Sequence, residues 1–269
     1  MRDKAHFQFT KQNNFLNHHL GENVYILDDI YAFSMLAKLS TPDLKQPMIN
    51  IYLRELYKVL LNNVVSTCFP KKEMEFKTRM HQYDEHGVFN ARVIDPETKV
   101  LICDVARAGM IPGQVCFDSL NLYLNPENVI FDHIMASRDI SKEAKSINTV
   151  LAGMKIIPEF SDGYILIPDP MGASGSSIKK VIDLYKSMHK NIKIIVMHLI
   201  ITPEYVKNIR SAHPDVTIMA IRYDRGLSDE RSLNSDIGEF PEGEKSLTDT
   251  KYILPGAGGL GEIINNNYI

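Results

Sequence analysis

The feature that most constrains this chain is residues 163–177, G-Y-I-L-I-P-D-P-M-G-A-S-G-S-S, which pass without a break into a helical pattern over 178–188. An apolar run that ends in an acid, turns through small residues and opens a helix fits a parallel strand, its carboxyl-end loop and a crossover helix. Side-chain-poor residues let backbone N–H groups converge, and the helix start adds partial positive charge, so the turn suits a phosphate group. Ser174, Ser176 and Ser177 can add hydroxyl donors. Asp169, at the strand's carboxyl end, can accept hydrogen bonds from ribose hydroxyls. Together these residues predict a sugar-phosphate site, against the blander reading of an ordinary strand-to-helix turn.

Related glycine-rich loops do not fit. A Walker loop requires a lysine directly after its last glycine, whereas Gly175 is followed by Ser176 and Ser177. A nucleophile elbow requires G-x-S-x-G, and the chain reads Gly172, Ala173, Ser174, Gly175, Ser176. Near the C-terminus, residues 256–261 match G-x-G-x-x-G literally, but only eight residues follow Gly261, too few for the rest of a βαβ unit. Glycines there suit close backbone approach to a flat ligand, read by main-chain N–H and C=O groups.

Hydrophobic spacing organises the rest. Residues 1–46 read as an irregular N-terminal arm with a short helix over 28–39, and 47–269 as the main domain. Apolar residues at helical spacing (Ile49, Leu53, Leu56, Leu60, Val64) predict a long helix over 48–65. Runs 74–81 and 87–93 predict a small antiparallel flap. Beyond it come strands at 100–105, 128–136, 163–168, 192–201 and 216–221, and helices at 114–124, 175–188 and 203–212, with a linker at 138–159. Strands alternating with helices predict an α/β fold: a doubly wound, mostly parallel sheet flanked by helices, with a small β flap or hood and the N-terminal arm. Pro168 cannot donate to a ladder, so the central strand ends there. Residues 227–250 are a long polar insertion, read as a functional cover or a disordered loop.

With 44% hydrophobic residues in 269, the chain can bury a full core. A net charge of −3 argues against a broad nucleic-acid or membrane surface. No apolar run reaches the roughly 18 residues of a membrane span, and the N-terminal twenty residues are polar and His-rich, unlike a signal peptide. Cys68, Cys103 and Cys116 form no C-x-x-C and read as buried thiols in a reducing cytoplasm.

The 169–177 stretch resembles the phosphoribosyl-pyrophosphate (PRPP) signature of uracil phosphoribosyltransferases, roughly D-P-M-L-A-T-G-G-S, with Asp169, Pro170, Met171, Ala173, Gly175 and Ser177 matching. Gly172, Ser174 and Ser176 replace Leu, Thr and Gly. Four more blocks follow the family's order. Residues 106–110, A-R-A-G-M, are similar to its L-R-A-G-L pyrophosphate loop, and Ser137–Arg138–Asp139 to its Y-R-D. Residues 212–216 resemble a stretch before its last core strand, and 252–256, Y-I-L-P-G, the opening of its uracil-binding segment.

The resemblance implies a type I phosphoribosyltransferase fold and transfer of ribose 5-phosphate from PRPP to uracil, giving UMP and pyrophosphate in pyrimidine salvage. It implies that Arg107, Ala108, Gly109 and Arg138 hold the diphosphate, that Asp169 binds the ribose hydroxyls, and that Pro170, Met171 and the loop Gly172, Ala173, Ser174, Gly175, Ser176 and Ser177 enclose the 5′-phosphate. Arg107, Arg138 and Asp169 are the catalytic candidates; surface ion pairs are the blander reading of the arginines. Arginine suits a diphosphate through bidentate contacts. Magnesium is expected mainly through PRPP's own phosphates and waters, with no metal ligand assigned in the chain. Ile253, Gly258, Gly259 and Leu260 take the positions of the uracil site. A homodimer or larger homo-oligomer and a cytoplasmic location are implied as well. The chain departs from the family where G-L-G-D-A-G-D-R becomes G-A-G-G-L-G-E-I: an Asp is replaced by Gly259, a second by Glu262, and an Arg by Ile263. Those losses leave open a phosphoribosyltransferase for another base, or a PRPP- or nucleotide-binding protein without turnover.

Overall fold

The chain's longest apolar runs become the inner strands of one sheet. The computed structural model describes residues 3–7, 14–138, 149–157 and 159–267. In chain order come β1 (Val24–Ile26), α1 (Ile30–Leu39), α2 (Met48–Cys68), β2 (Lys71–Lys77), β3 (Val88–Ile94), β4 (Val100–Ala106), α3 (Met110–Leu120), β5 (Val129–Arg138), β6 (Thr149–Lys155) and β7 (Tyr164–Pro168). There follow β8 (Met171–Gly172), α4 (Ser176–Met188), β9 (Lys193–Ile201), α5 (Pro203–Ala212), β10 (Thr217–Tyr223), α6 (Glu230–Leu233) and α7 (Leu260–Ile263).

The main sheet has the order β1-β10-β9-β7-β4-β5-β6, with β8 beside β9. Its pairings are parallel except β5 with β6. Every residue of β7 is buried, as a strand covered on both faces must be. One face packs Ile102, Leu166 and Leu199 against α2 and α3, through Leu53, Leu60 and Val115. The other packs Leu101, Ile167 and Val196 against α4 and α5, through Val181, Ile182 and Ile209. This is the doubly wound α/β architecture the sequence predicts. The chain leaves β4 through α3 toward β5, and leaves β7 through α4 toward β9 on the opposite side. The order of strands therefore reverses between β4 and β7, and a crevice opens outside their carboxyl ends.

Several elements differ from the sequence expectation. The N-terminal segment is not only an arm with a helix: β1 extends the sheet by pairing in parallel with β10. The 138–159 linker carries β6, whose antiparallel partner is β5. Helix α3 occupies 110–120, four residues earlier than the predicted 114–124. Pro112 falls in its first turn, where a missing N–H is tolerated. Gly113 lets the helix lie on the sheet, since a Cβ there would meet Phe131 at 2.9 Å and the Asp104 Cβ at 3.0 Å. Asn121 ends the helix, its side chain donating to the Phe117 carbonyl. In the flap β2 starts and ends before the predicted 74–81, and Arg79–Gln82 forms a 3-10 turn instead.

The 227–250 segment is folded rather than open. Arg225 pairs with buried Glu244 at 2.6 Å, and Glu244 also accepts from Tyr223 Oη–H and the Gly238 N–H. Glu204 of α5 accepts from the Ser246 and Leu247 N–H groups. Cys103 and Cys116 are buried, Cys68 is partly so, and none of the three forms a disulfide among the described residues; burial pushes the Cys103 and Cys116 thiols up, into their protonated form. Among the described residues no helix is long and apolar enough to cross a membrane.

Candidate active site

The phosphate-type loop emerges at the carboxyl end of β7. After Pro168, Asp169 and Pro170 step out of the ladder, and β8 returns to pair with β9. The turn then tightens at Gly175, whose φ of +76° favours glycine, and α4 begins at Ser176. The space is as restrictive as the dihedral. A Cβ on Gly172 would meet Ile201 Cγ2 at 2.9 Å, and one on Gly175 would meet the Tyr205 ring at 3.2 Å and Ile209 at 3.3 Å. The loop is braced from α5: Thr202 Oγ1 donates to the Ala173 carbonyl at 2.6 Å, and Asn208 Nδ2 to the Ser174 carbonyl at 2.8 Å. Ser174 and Ser176 hydroxyls lie 3.1 Å apart, and the first-turn amides of α4 have no intrahelical acceptor. Small side chains, paired hydroxyls and a helix start thus share one turn, which can take an anion.

The Arg107 loop follows β4 and meets the tip of β7, from which that turn departs. Its Ala106–Arg107 peptide is cis. Gly109 N–H returns to the Val105 carbonyl at 3.0 Å, and a Cβ on Gly109 would lie 2.8 Å from the Pro168 carbonyl oxygen. No larger residue could bring this loop so close to the tip of β7. Arg107 itself is exposed and makes no ion pair among the described residues. Arg138 ends β5; its side chain and Asp139 lie outside the described residues.

Asp169 is held by a set of groups that sequence reasoning did not single out. Its N–H donates to the Met197 carbonyl at 3.0 Å, which also accepts from Tyr57 Oη–H of α2 at 3.1 Å. One of its carboxylate oxygens accepts from the Met171 N–H at 3.2 Å. Its backbone carbonyl accepts from Nδ1–H of His198, whose Nε2 lies 2.6 Å from the Tyr205 hydroxyl. Burial pushes the Asp169 carboxyl up to about 6, while the Met171 N–H opposes the rise. Burial likewise holds His198 neutral, its pKa lowered to about 4. The sequence did carry one signal for this: His198 is the lone polar residue in an otherwise apolar strand run, I-I-V-M-H-L-I-I. Tyr57 and Tyr205 gave none, because each falls in the apolar stripe of its helix.

The C-terminal glycine segment forms a third wall. Asp224 accepts from the Gly256 N–H at 2.8 Å, while Arg222, paired with Asp224 at 2.6 Å, donates to the Gly256 carbonyl at 2.9 Å. Downstream, a Cβ on Gly261 would lie 3.5 Å from the Ala108 Cβ, which places this segment beside the Arg107 loop. Ile253 and Leu260 are buried in the core on the α2 side. Gly258 is exposed and Gly259 partly so. Where a Cβ on Gly259 would stand, Glu262 Oε2 is 2.6 Å away, so the Glu262 carboxylate fills space beside the residue that lacks an acid. Among the described residues no cluster of three or more His, Cys, Asp or Glu could hold a metal ion. The 212–216 block is structural, with Asp215 paired to Lys186 of α4 at 2.6 Å.

Comparison with known proteins agrees with this geometry. A family profile described as uracil phosphoribosyltransferase matches residues 26–243. A uracil phosphoribosyltransferase of Acinetobacter baylyi is 34% identical over 86 residues, which cover 32% of this chain and 40% of that relative. The matched segment is thus less than half of the relative's length. The solved AQ2163 protein of Aquifex aeolicus superposes with a TM-score of 0.67 at 16% identity, covering 90% of this chain and 97% of its own. At that identity the likeness speaks for the fold alone.

Proposed function

This chain belongs to the uracil phosphoribosyltransferase family, and we propose that it is a pentosyltransferase that moves the 5-phosphoribosyl group of PRPP to uracil, releasing pyrophosphate. The observation that carries the reading is the meeting of two loops at the switch point: the Gly109 backbone abuts Pro168, so the loop that carries an exposed arginine meets the strand tip from which the acid and the serine-lined turn follow. Such an arrangement suits one ligand with a monoester at one end and a diphosphate at the other. In the displacement, positive charge grows at the anomeric carbon as the diphosphate leaves. The protein's task is therefore orientation and stabilisation of the leaving group rather than supply of a nucleophile.

On this reading Arg107, with the backbone at Ala108 and Gly109, grips the diphosphate, and Arg138 joins it from the end of β5. Asp169 accepts from the ribose hydroxyls, and the stretch Gly172–Ser177 receives the 5′-phosphate. The exposed backbone of Gly258 and Gly259 reads the edge of the base, while Ile253 and Leu260 support that segment from the core. Magnesium fits as an ion carried on the diphosphate, since such an ion keeps most of its water and needs few protein ligands. When bound, it neutralises diphosphate charge. A homo-oligomer, which sedimentation velocity would detect, and action in the cytoplasm belong to the same reading.

A second reading, transfer to a different base, is favoured by Glu262 standing over Gly259, since that carboxylate changes what the base edge meets. Incubation with PRPP, magnesium and a panel of bases, followed by pyrophosphate release, decides. Release with uracil alone supports the first reading and release with another base the second. Tight PRPP binding without release identifies a sensor, and no binding at all rejects the site.

A further inference from the structure

We propose that His198, working with Tyr205, is the positioning residue that fixes the direction of the Asp169 peptide, and through it the acid and the phosphate loop, toward the ribose 5-phosphate part of the substrate. The inference rests on the phosphoribosyl reading above. It starts from a break in the ladder between β7 and β9. Pro168 pairs with Met197, and the next regular pair is Met171 with Ile200. In the gap, the Leu199 and Ile200 N–H groups both reach the Pro170 carbonyl, at 3.0 and 3.2 Å. The Asp169 carbonyl is thereby left without a backbone donor among the described residues, and Pro170 has no N–H of its own to offer.

His198 fills that gap with its side chain. A carbonyl oxygen can only accept, so Nδ1 carries the proton; Nε2 of the neutral ring is then an acceptor, and the Tyr205 hydroxyl donates to it. Both rings are fully buried. The same Tyr205 ring lies under the loop, 3.2 Å from the positions a Cβ would take on Gly172 and on Gly175. One connected unit therefore ties the floor of the phosphate loop to the peptide that carries the acid. The direction of the Tyr205 bond holds only while the imidazole is neutral, and burial keeps it so down to about pH 4. Being buried, His198 touches no substrate. Its effect is transmitted through Asp169: if the peptide turns, the Met171 N–H no longer meets the carboxylate and the acid loses its aim.

Three variants test this. His198→Leu removes both bonds, His198→Asn keeps a donor near the place of Nδ1, and Tyr205→Phe removes only the hydroxyl. In the parent, long-range 15N NMR is expected to report the Nδ1–H tautomer. In His198→Leu the Asp169 carboxyl, followed by 13C NMR, is expected to titrate at least about half a pH unit higher, because the Met171 bond that lowers it is lost. KM for PRPP is expected to rise about tenfold with kcat changed less than about threefold, and His198→Asn to restore most of both. Should His198→Leu not fold, Tyr205→Phe serves, with the Nδ1–H tautomer kept by the Asp169 carbonyl and an Asp169 shift of the same sign but smaller. An Nε2–H tautomer in the parent, or an Asp169 titration unmoved in these variants, overturns the proposal. A parent protein with the Nδ1–H tautomer and the expected Asp169 shifts, but no PRPP binding, overturns the proposed function and leaves the His198–Asp169 linkage intact.

Discussion

Replacing Asp169 by Asn separates what the strand tip contributes to stability from what it contributes to binding. Burial raises the carboxyl from its ordinary 3.8 to about 6. An acid with a raised native pKa holds its proton over a range where the unfolded chain has already released it. Its contribution to stability therefore falls as pH rises from about 4 to about 6, and the loss is complete above that. Two pH units at about 1.4 kcal/mol each put the cost of the buried charge near 3 kcal/mol at neutral pH. Asn has almost the same shape, carries no charge and can still accept the Met171 N–H through Oδ1. Asp169→Asn is thus expected to be more stable than the parent by about 1–3 kcal/mol at pH 7.5, with the difference shrinking toward zero at pH 4.5. His198 titrates in the opposite sense: neutral in the fold down to about 4, it loses stability as pH falls from 6.5 toward 4. That loss occurs in both proteins and cancels in the comparison. Urea midpoints at the two pH values, followed by circular dichroism on ligand-free protein, measure the effect. Loss of a charge-assisted acceptor for ribose hydroxyls should at the same time lower kcat/KM for PRPP by about ten- to a hundredfold. A variant less stable than the parent at pH 7.5, or a difference that does not change with pH, would refute a carboxylate whose charge is disfavoured at this tip.

Arg107→Ala is expected to raise KM for PRPP at least about tenfold with an unchanged melting temperature, since the side chain is exposed and makes no ion pair among the described residues; unchanged PRPP affinity removes it from the site. Gly175→Ala forces an L residue to φ +76° against Tyr205 and Ile209 and should cost about 1–2 kcal/mol while weakening ribose 5-phosphate binding; an unaltered melting curve contradicts the strained turn. Arg225→Ala leaves Glu244 buried without its cation and should destabilise by about 3–5 kcal/mol, with new proteolytic cleavage between 227 and 250. Resistance to protease in that variant would show the segment to be held by other contacts.

The inner strands were legible because a parallel strand covered on both faces reads as a continuous apolar run, as I-L-I at 165–167 and I-I-V-M at 194–197 do. Helices α2, α4 and α5 followed from spacing; in the structure Thr202 caps α5 and Pro203 stands in its first turn. The loops at Arg107 and Asp169 were legible as motifs, yet no motif says that they touch; the contact is made by Gly109, whose missing Cβ matters only once Pro168 is opposite. Two strands stayed hidden. Val24–Ile26 is three residues long, and its reason to be extended is a partner almost two hundred residues away. Residues 149–155 form a strand because the edge of β5 is there to pair with.

The same long-range dependence unites parts that look separate in the sequence. Arg222 and Asp224, just at the end of β10, clamp Gly256 from both its N–H and its carbonyl. Arg222 also donates to Ser40, after α1, at 3.2 Å, and Gln46 reaches the Ile264 carbonyl at 3.0 Å. Ser246, within the polar segment, exchanges bonds with Leu254 through its N–H-bonding carbonyl and its hydroxyl, and Glu204 of α5 anchors the Ser246 and Leu247 amides. The N-terminal segment, the polar 227–250 stretch and the C-terminal glycines therefore act as one support. Its product is the placement of Gly258–Gly261 against Ala108, and a flexible glycine run can present a fixed backbone edge only when its flanks are held this way.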